Sequence, residues 1–414
     1  MAEHNCFDVV ISGGGLVGLA LGLALARGGI EVAVVDAQRP EAVTAPKFDG
    51  RASAIALASC RMLKALGLWS DLEAHAQPIK DILVTDGSLR RGASPLFLHF
   101  DHRELGDEPL GSMIENRHIR IALHKAAAQT PGLTLIAPRS VKSARADDAK
   151  TQVTLADGRL LEAALCVAAE GRSSSLRAAA GIKLVNWDYD QAGIVTTVEH
   201  ERPHEGLAHE YFLPAGPFAI LPMTGNRSSL VWTERREDAK AITALPEDLF
   251  TAELRKRFGT HLGWVRPIGP RWSYPLSLQI ARSYIAPRLA LIGDAAHAIH
   301  PIAGQGFNLG LRDVAALAEI LIDAQKLGLD IGAQTVIEKY QRWRRFDNIV
   351  LTAATDALNR LFSNDVAPVR AARDIGLAIV GRIAPARRLF MRHAGGALSL
   401  TSESLPRLLR GEAP

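Results

Sequence analysis

The sequence predicts a mixed α/β chain in which a parallel-sheet ligand-binding domain is interrupted by an antiparallel sheet and followed by helices. Three observations predict it. At 414 residues the chain exceeds the size at which one hydrophobic core keeps growing, so about two domains are expected. Short apolar, β-branched runs end in glycine clusters or single acids just before helical stretches, as strands of an open α/β sheet do. Between residues 194 and 233 the pattern changes to the period-two alternation of an antiparallel sheet.

The bulk numbers exclude several classes. Apolar residues make up 48% and charged residues 22%, the composition of a soluble globular protein. The net charge of +4 and pI near 9.0 are mildly basic, without the stripe of Lys and Arg with interleaved aromatics that marks a nucleic-acid binder. No apolar run reaches the roughly 18 residues of a membrane span. The start, MAEHNCFD, lacks the basic region of a secretory signal. Cys6, Cys60 and Cys166 are odd in number and have no metal-ligand spacing. They read as reduced thiols in a cytoplasmic protein, and no metal site is expected.

In chain order, Phe7–Ile11 predicts a strand, followed by Gly13, Gly15 and Gly18 in G-x-G-x-x-G spacing and the Ala/Leu-rich helix Leu16–Arg27. A second strand, Val32–Val35, ends on Asp36. Gly13 allows the tight turn, Gly15 lets backbone approach a pyrophosphate, and Gly18 lets helix pack on strand. Asp36, about 20 residues on, is placed to accept hydrogen bonds from a ribose. This context predicts a bound dinucleotide and leaves FAD and NAD equally open.

Arg51 follows in DGRASAIAL, and Met62–Trp69 predicts an amphipathic helix ended by Gly67. Ile79–Thr85 and Leu96–Phe100 read as strands of the second region. Arg117 begins the helix Ile119–Ala128, where a basic residue is unfavourable for the helix dipole; a ligand phosphate or a surface ion pair would each explain it. Leu133–Ile136, Val153–Leu155 and Leu160–Ala164 suggest a small meander. A separate buried strand, Cys166–Ala169, ends in Glu170-Gly171 and a serine cluster before Arg177.

Ile194–Val198, His209–Leu213, Phe218–Leu221 and Ser229–Trp232 predict the antiparallel sheet, closed by a helix at Pro246–Phe258 and a strand at Ser273–Leu276. Tyr211, Phe212, Phe218 and Trp232 are expected core residues, with one sheet face walling a pocket. The stretch from Gly293 to Asp313, GDAAHAIHPIAGQGFNLGLRD, follows the strand Leu289–Ile292. It supplies Asp294 and then Gly304 and Gly306 at a helix start, whose unpaired N–H groups favour anionic ligand atoms. Two helical stretches, Phe307–Lys326 and Ile337–Leu361, come next. Residues 366–414 carry eight Arg against three acids. That balance suits a membrane-surface or partner helix, or a terminal helix packed on its own protein.

The order and spacing of these three glycine/acid motifs resemble the single-component (class A) FAD-dependent aromatic monooxygenases related to p-hydroxybenzoate hydroxylase. DGRASA at 49–54, GPFAILP at 216–222, SLVWT at 229–233, YQRWRRFDN at 340–348 and TDALNRLFS at 355–363 narrow the resemblance to the ubiquinone-biosynthesis hydroxylases. It implies a Rossmann-like FAD-binding domain from residues 1–75, 106–182 and 280–330. The inserted antiparallel-sheet substrate domain would be 76–105 and 183–279, and the C-terminal helical region 331–414.

By the same resemblance Gly13, Gly15, Gly18 and Asp36 hold the ADP half of FAD, and Arg51 and Arg117 contact phosphate and ribityl oxygens. Asp294 bonds the ribityl chain. Gly304, Gly306, Phe307 and Asn308 meet the flavin's pyrimidine edge through backbone. Glu170 with Gly171 stands where relatives have Asp-Gly, a longer acid that leaves the route of electrons open between NAD(P)H and a reduced protein partner. The implied reaction is hydroxylation of a polyprenylated phenol with O2 through a C4a-hydroperoxyflavin. No nucleophilic set is required, and His297, His300 and Pro301 are expected to shape the flavin loop. The expected location is cytoplasmic, with peripheral contact at the inner membrane and membership of a ubiquinone-biosynthesis complex as further expectations. A small soluble aromatic substrate with NAD(P)H, and a non-catalytic flavoprotein subunit, are the alternatives.

Overall fold

The computed structural model describes residues 5–88, 92–298 and 305–362, single positions between 383 and 395, and 405–414. Three sheets organise them. In the first, five strands run parallel: Leu289–Leu291, Leu160–Ala168, Cys6–Ser12, Val32–Val35 and Leu133–Ile136. Their residues are mostly apolar because most of their side chains are buried. Ile285–Ala286 adds an antiparallel edge strand.

Two expectations change here. Leu133–Ile136 is the outer strand of the parallel sheet, with Val32 opposite Leu133, and belongs to no meander. Leu160–Ala168 is one strand, where the residues suggested two. Its first half alternates between buried and half-buried while pairing antiparallel with Thr151–Leu155. Its second half is buried on both faces beside Leu289–Leu291. The change in burial pattern along one strand reads in the sequence as a boundary.

The second sheet has eight strands: His297–Ala298, Val265–Ala281, Leu184–His200, Arg227–Arg235, Gly216–Met223, Leu207–Leu213, Asp81–Ser88 and Gly92–Asp101. It is antiparallel except for one parallel join, between Leu207–Leu213 and Asp81–Ser88. That join arises because the last two strands arrive from a distant part of the chain. Leu184–His200 and Val265–Ala281 each run 17 residues, far beyond the short segments expected. One face packs Phe218, Ile220, Leu230 and Trp232 onto Phe250, Leu254 and Phe258 of the helix Glu247–Phe258. A polar helix, Arg236–Thr243, buries only Ala239 and was not legible in the pattern. The third sheet, Ala52–Ala56, Gly111–Glu115 and Gln77–Ile79, lies between the other two.

Behind the parallel sheet, the helix Leu16–Arg27 crosses Gln305–Lys326 so closely that a Cβ on Gly310 would come within 2.6 Å of Val17. Gln334–Phe362 is one 29-residue helix joined to them by a buried polar network. Asp313, fully buried, accepts from Arg344 Nε at 2.9 Å, from the Gly293 N–H at 3.0 Å and shares a 2.5 Å hydrogen bond with His297 Nε2. Arg344 also donates to Asp347 and Asn348, and Asn348 donates to the Tyr284 hydroxyl.

The described part of the basic tail packs on the chain's own surface. Arg407 pairs with Asp323, Arg387 pairs with Glu104, and Leu408 and Leu409 are buried. No helix of the described residues is long and apolar enough to cross a membrane.

Burial pushes the Asp313 carboxyl up, but His297 and Arg344 outweigh it and hold it below the ordinary value. Its contribution to stability is therefore complete above the unfolded value of about 3.9 and is lost as pH falls through the lower folded value. Asp313→Ala leaves the Arg344 guanidinium buried without its main partner, a loss of roughly 3–5 kcal/mol. Urea unfolding at neutral pH reads it as a lower midpoint.

Candidate functional site

The parallel strands end level. Ser12 lies beside Ala168 on one side and Val35 on the other; Ala168 lies beside Leu291. The loops that follow, Gly13–Gly15, Asp36, Ala169–Gly171 and Ile292–Asp294, therefore leave the sheet side by side at its carboxyl edge. In an open parallel sheet this edge is where ligands bind.

Each glycine of the first loop answers a different contact. Gly13 has φ +107° and its missing Cβ would lie 2.5 Å from the Ala169 carbonyl oxygen. A Cβ on Gly18 would lie 1.9 Å from the Gly13 carbonyl oxygen, while one on Gly15 would meet nothing within 4 Å. Gly13 and Gly18 thus serve the fold, and Gly15 leaves open space at the start of a 12-residue helix with free N–H groups. Asp36 accepts from the N–H of Gly14 at 2.6 Å and of Gln38 at 2.7 Å. Those bonds lock the loop to the second strand and leave carboxylate lone pairs for a further donor.

Arg51 grips Asp49 through Nε and Nη2 at 3.0 and 2.9 Å, with its guanidinium 5.8 Å from the Trp272 ring. Burial pushes the Asp49 carboxyl up, yet the Arg51 N–H and the side chains of Arg120 and Arg51 hold it below the ordinary carboxylate range. Arg117 donates to Glu115 at 2.7 Å and to the Pro46 carbonyl at 2.5 Å, and lies 5.6 Å from the Phe48 ring. Its oddity as a helix-start cation is thereby accounted for within the chain.

Glu170 turns inward. It accepts from the hydroxyls of Ser174 and Ser175 and from the Leu176 N–H, capping the short helix Ser175–Ala179. Gly171 has φ +83° with open space around it. Arg177, buried, donates to the carbonyls of Ala295 at 2.9 Å and Arg172 at 2.7 Å. Burial pulls its pKa down. Arg172 lies 3.5 Å from the half-exposed Asp294 carboxylate. Arg172 and Arg177 tie the middle loop to the third loop; Arg177 closes the middle motif read in the sequence, and Arg172 was not singled out there.

The third loop leads to the 22-residue helix Gln305–Lys326. A Cβ on Gly306 would meet nothing within 4 Å. Phe307 is partly buried against the main core. Asn308 is buried and bridges to the small sheet: its Oδ1 accepts from the Ala56 N–H at 2.9 Å and its Nδ2 donates to the Ala54 carbonyl at 2.8 Å. His297 is buried against Asp313. His300, Pro301 and Gly304 lie outside the described residues.

Facing this helix start is the second sheet's other face. Ala208 and Leu221 pack against Ala52, Ala54 and Met113, and Phe212 stacks on Phe362 with ring centres 4.1 Å apart. Of the four aromatics expected in the core, Tyr211, Phe218 and Trp232 lie with the helix-covered cluster, and Phe212 lies on this opposite face.

A level row of glycine and acid loops at the edge of a parallel sheet, with an apolar sheet face opposite, is the arrangement of a dinucleotide-binding protein. The chain belongs to the FAD-binding-domain family, whose model matches residues 6–345. It is 54% identical to the ubiquinone hydroxylase UbiL of Rhodospirillum rubrum over 98% of this chain and 92% of that protein. It is 34% identical to the 3-demethoxyubiquinol 3-hydroxylase of Escherichia coli (94% and 98%) and 31% to the human mitochondrial ubiquinone biosynthesis monooxygenase COQ6 (95% and 93%). Among solved structures, p-nitrophenol 4-monooxygenase PnpA of Pseudomonas putida superposes with a TM-score of 0.79 at 20% identity, over 96% of this chain and all of that one. The Diels-Alderase PyrE3 has a TM-score of 0.74 at 21% identity, over 98% of this chain and 82% of that one. These two share the fold.

Gly15 and Gly18 separate binding from folding. Gly18→Ala should lower the unfolding midpoint. Gly15→Ala, at a φ of −67° that any residue adopts, should leave the midpoint unchanged while FAD affinity falls at least about tenfold, or ~1.4 kcal/mol. Flavin-fluorescence titration beside thermal melts reads both.

Proposed function

We propose that this chain is an FAD-dependent monooxygenase that hydroxylates the aromatic ring of a polyprenylated phenol in ubiquinone biosynthesis. The observation that carries the reading is the level register of Ser12, Ala168 and Leu291, which gathers three ligand loops into one crevice facing an apolar sheet. The residues present fit FAD. Gly15 and Gly306 leave room beside two helix starts, and the acid of each loop has a defined place.

Gly13, Gly15, Gly18 and Asp36 would hold the ADP half. Arg51 and Arg117, with guanidinium N–H groups left beyond their bonds to Asp49, Glu115 and Pro46, would reach phosphate and ribityl oxygens. Asp294 would bond the ribityl chain. The N–H groups at Gly304, Gly306, Phe307 and Asn308 would favour negative charge on the flavin's pyrimidine edge. Bound FAD supplies the activation of O2, and the chain's part is to orient the ring and exclude water.

Glu170 with Gly171 contributes by fixing the middle loop: Glu170 caps its own helix, and Arg177 carries that order to Ala295. Electrons come from NAD(P)H or a reduced protein partner. The ring and the start of its prenyl tail would lie along the apolar face that includes Phe212 and Leu221, and the rest of the tail would suit a peripheral encounter with the inner membrane.

Incubating the flavoprotein with a 2-prenylphenol, 18O2 and a reductant should give a ring-hydroxylated product carrying one labelled oxygen, identified by mass spectrometry. Asp294→Ala should keep the fold while weakening FAD binding roughly 10- to 100-fold, the size of one charge-assisted hydrogen bond. A correctly folded, FAD-loaded wild-type chain that incorporates no label refutes the reading.

A further inference from the structure

On the strand Leu207–Leu213, side chains alternate between the two faces of the sheet. Tyr211 and Leu213 pack with the cluster under the helix Glu247–Phe258. Ala208 packs against Ala54 and Met113, and Phe212 stacks on Phe362. Glu210 lies between Ala208 and Phe212 on that second face. It therefore sits between the small sheet, which Asn308 grips at Ala54 and Ala56, and the end of the helix Gln334–Phe362.

Its cross-strand neighbours are Ala219 on one side and Val84 on the other. Among the described residues no hydrogen bond or ion pair engages its carboxyl. Asp86, opposite Phe212, is the acid the neighbouring strand adds to this face, and its Oδ1 accepts from the Gly87 N–H at 2.9 Å. His209 and Tyr211 alternate to the other face, where their rings stack and Tyr211 Oη lies 3.1 Å from His209 Nδ1. An acid placed in an apolar wall without a partner costs stability, and such a cost is kept where the group has work to do.

We propose that Glu210 is the general base that accepts the proton of the substrate's phenolic hydroxyl. The inference rests on the hydroxylase reading above and names the residue that acts on its substrate. The substrate O–H bond breaks, an O–H bond forms on the Glu210 carboxylate, and the electron pair left on oxygen conjugates into the ring. That raises the nucleophilicity of the ortho and para carbons towards the oxygen that the bound cofactor delivers. When the hydroxylated ring loses its C–H proton to solvent and regains aromaticity, Glu210 returns its proton to the ring oxygen. No oxidant or reductant enters this step. Burial pushes the Glu210 carboxyl up to about 7, with no charged neighbour contributing, which places the base near neutral pH, where general-base efficiency is greatest.

The test compares wild type, Glu210→Gln and Glu210→Asp as FAD-loaded full chains, with a 2-prenylphenol and a more acidic fluorinated 2-prenylphenol. In the wild type kcat should rise with pH through about 7, the carboxylate being the active form. Glu210→Gln should lower kcat by about 10²- to 10⁴-fold with little change in KM and lose that limb. It should recover as pH approaches the phenol's own ionisation, and it should lose far less with the fluorinated phenol. Glu210→Asp should keep the limb at reduced rate, and it carries the test if the glutamine variant fails to retain FAD. Independently of turnover, infrared difference spectra of phenol binding to the oxidised flavoprotein should show a carboxylic C=O band that Glu210→Gln lacks. A Glu210→Gln protein that matches wild type across the pH range overturns this inference and leaves the functional reading standing. A wild type that hydroxylates neither phenol overturns both.

Discussion

The in-register pairing of five parallel strands is the constraint on which the rest depends. Leu291, Ala168, Ser12, Val35 and Ile136 end at one level, so loops separated by well over a hundred residues emerge as neighbours. A one-residue slip in any pair would turn a strand's side chains to the opposite face. The near-continuous burial of Val9–Ser12, Val32–Val35, Leu165–Ala168 and Leu289–Leu291 makes that slip costly. Glycine at position 13 then has a reason that a motif alone does not supply: the loop after the first strand must clear the carbonyl of Ala169 at the end of the next. Sheet register and glycine placement are one requirement seen at two scales.

The buried carboxylate of Asp313 extends that order to the third loop. It accepts from the Gly293 N–H just where the chain leaves the sheet, and it binds Arg344 of the long helix and His297 of the second sheet's edge strand. One side chain thereby joins the parallel sheet, the helix behind it and the sheet in front. Replacing such a network with apolar groups can leave stability unchanged. What an apolar patch would lose is the directional hold on Gly293, and so on the backbone that presents Asp294. Arg177, donating to the Ala295 carbonyl from the middle loop, fixes the same short segment from the other side.

What the sequence made legible follows from locality. Gly13, Gly15, Gly18 and Asp36 answer to backbone geometry within one strand–turn–helix–strand unit, so their spacing suffices. The alternation at 194–233 likewise shows in any short window. Which partner a side chain takes is less legible, whether that partner lies 2 residues away or 71. Arg51 and Arg117 were expected to contact a cofactor, and their grips on Asp49, Glu115 and Pro46 were not foreseen. Glu170 was legible as an acid at a strand end, while its role as a cap depends on Ser174 and Ser175 folding back. Asn308 bonds backbone some 250 residues away. A usable signal did exist for Arg344, Asp347 and Asn348: three polar residues at i, i+3 and i+4 form one helix face and share the buried network. Glu210 left no such trace, since an acid in an alternating strand reads as its solvent side.

Fold alone does not decide the chemistry. Proteins named as a p-nitrophenol monooxygenase and as a Diels-Alderase both superpose on this chain, and function lies in the site carried on a fold. On the proposed reading, the crevice at the strand ends needs only to hold a dinucleotide through its glycines and acids. The second sheet divides differently. Its helix-covered face is filled by Phe218, Trp232 and Phe250 and has no freedom to change, because buried aromatics of that size leave cavities when replaced. Its other face meets the small sheet through Ala208 and Leu221 against Ala54 and Met113, and the long helix through the Phe212–Phe362 stack. Substitutions between those contacts would alter what a substrate ring placed there meets without disturbing either core. Selection for a substrate can act there, and that is where the one unpartnered carboxyl of this strand lies.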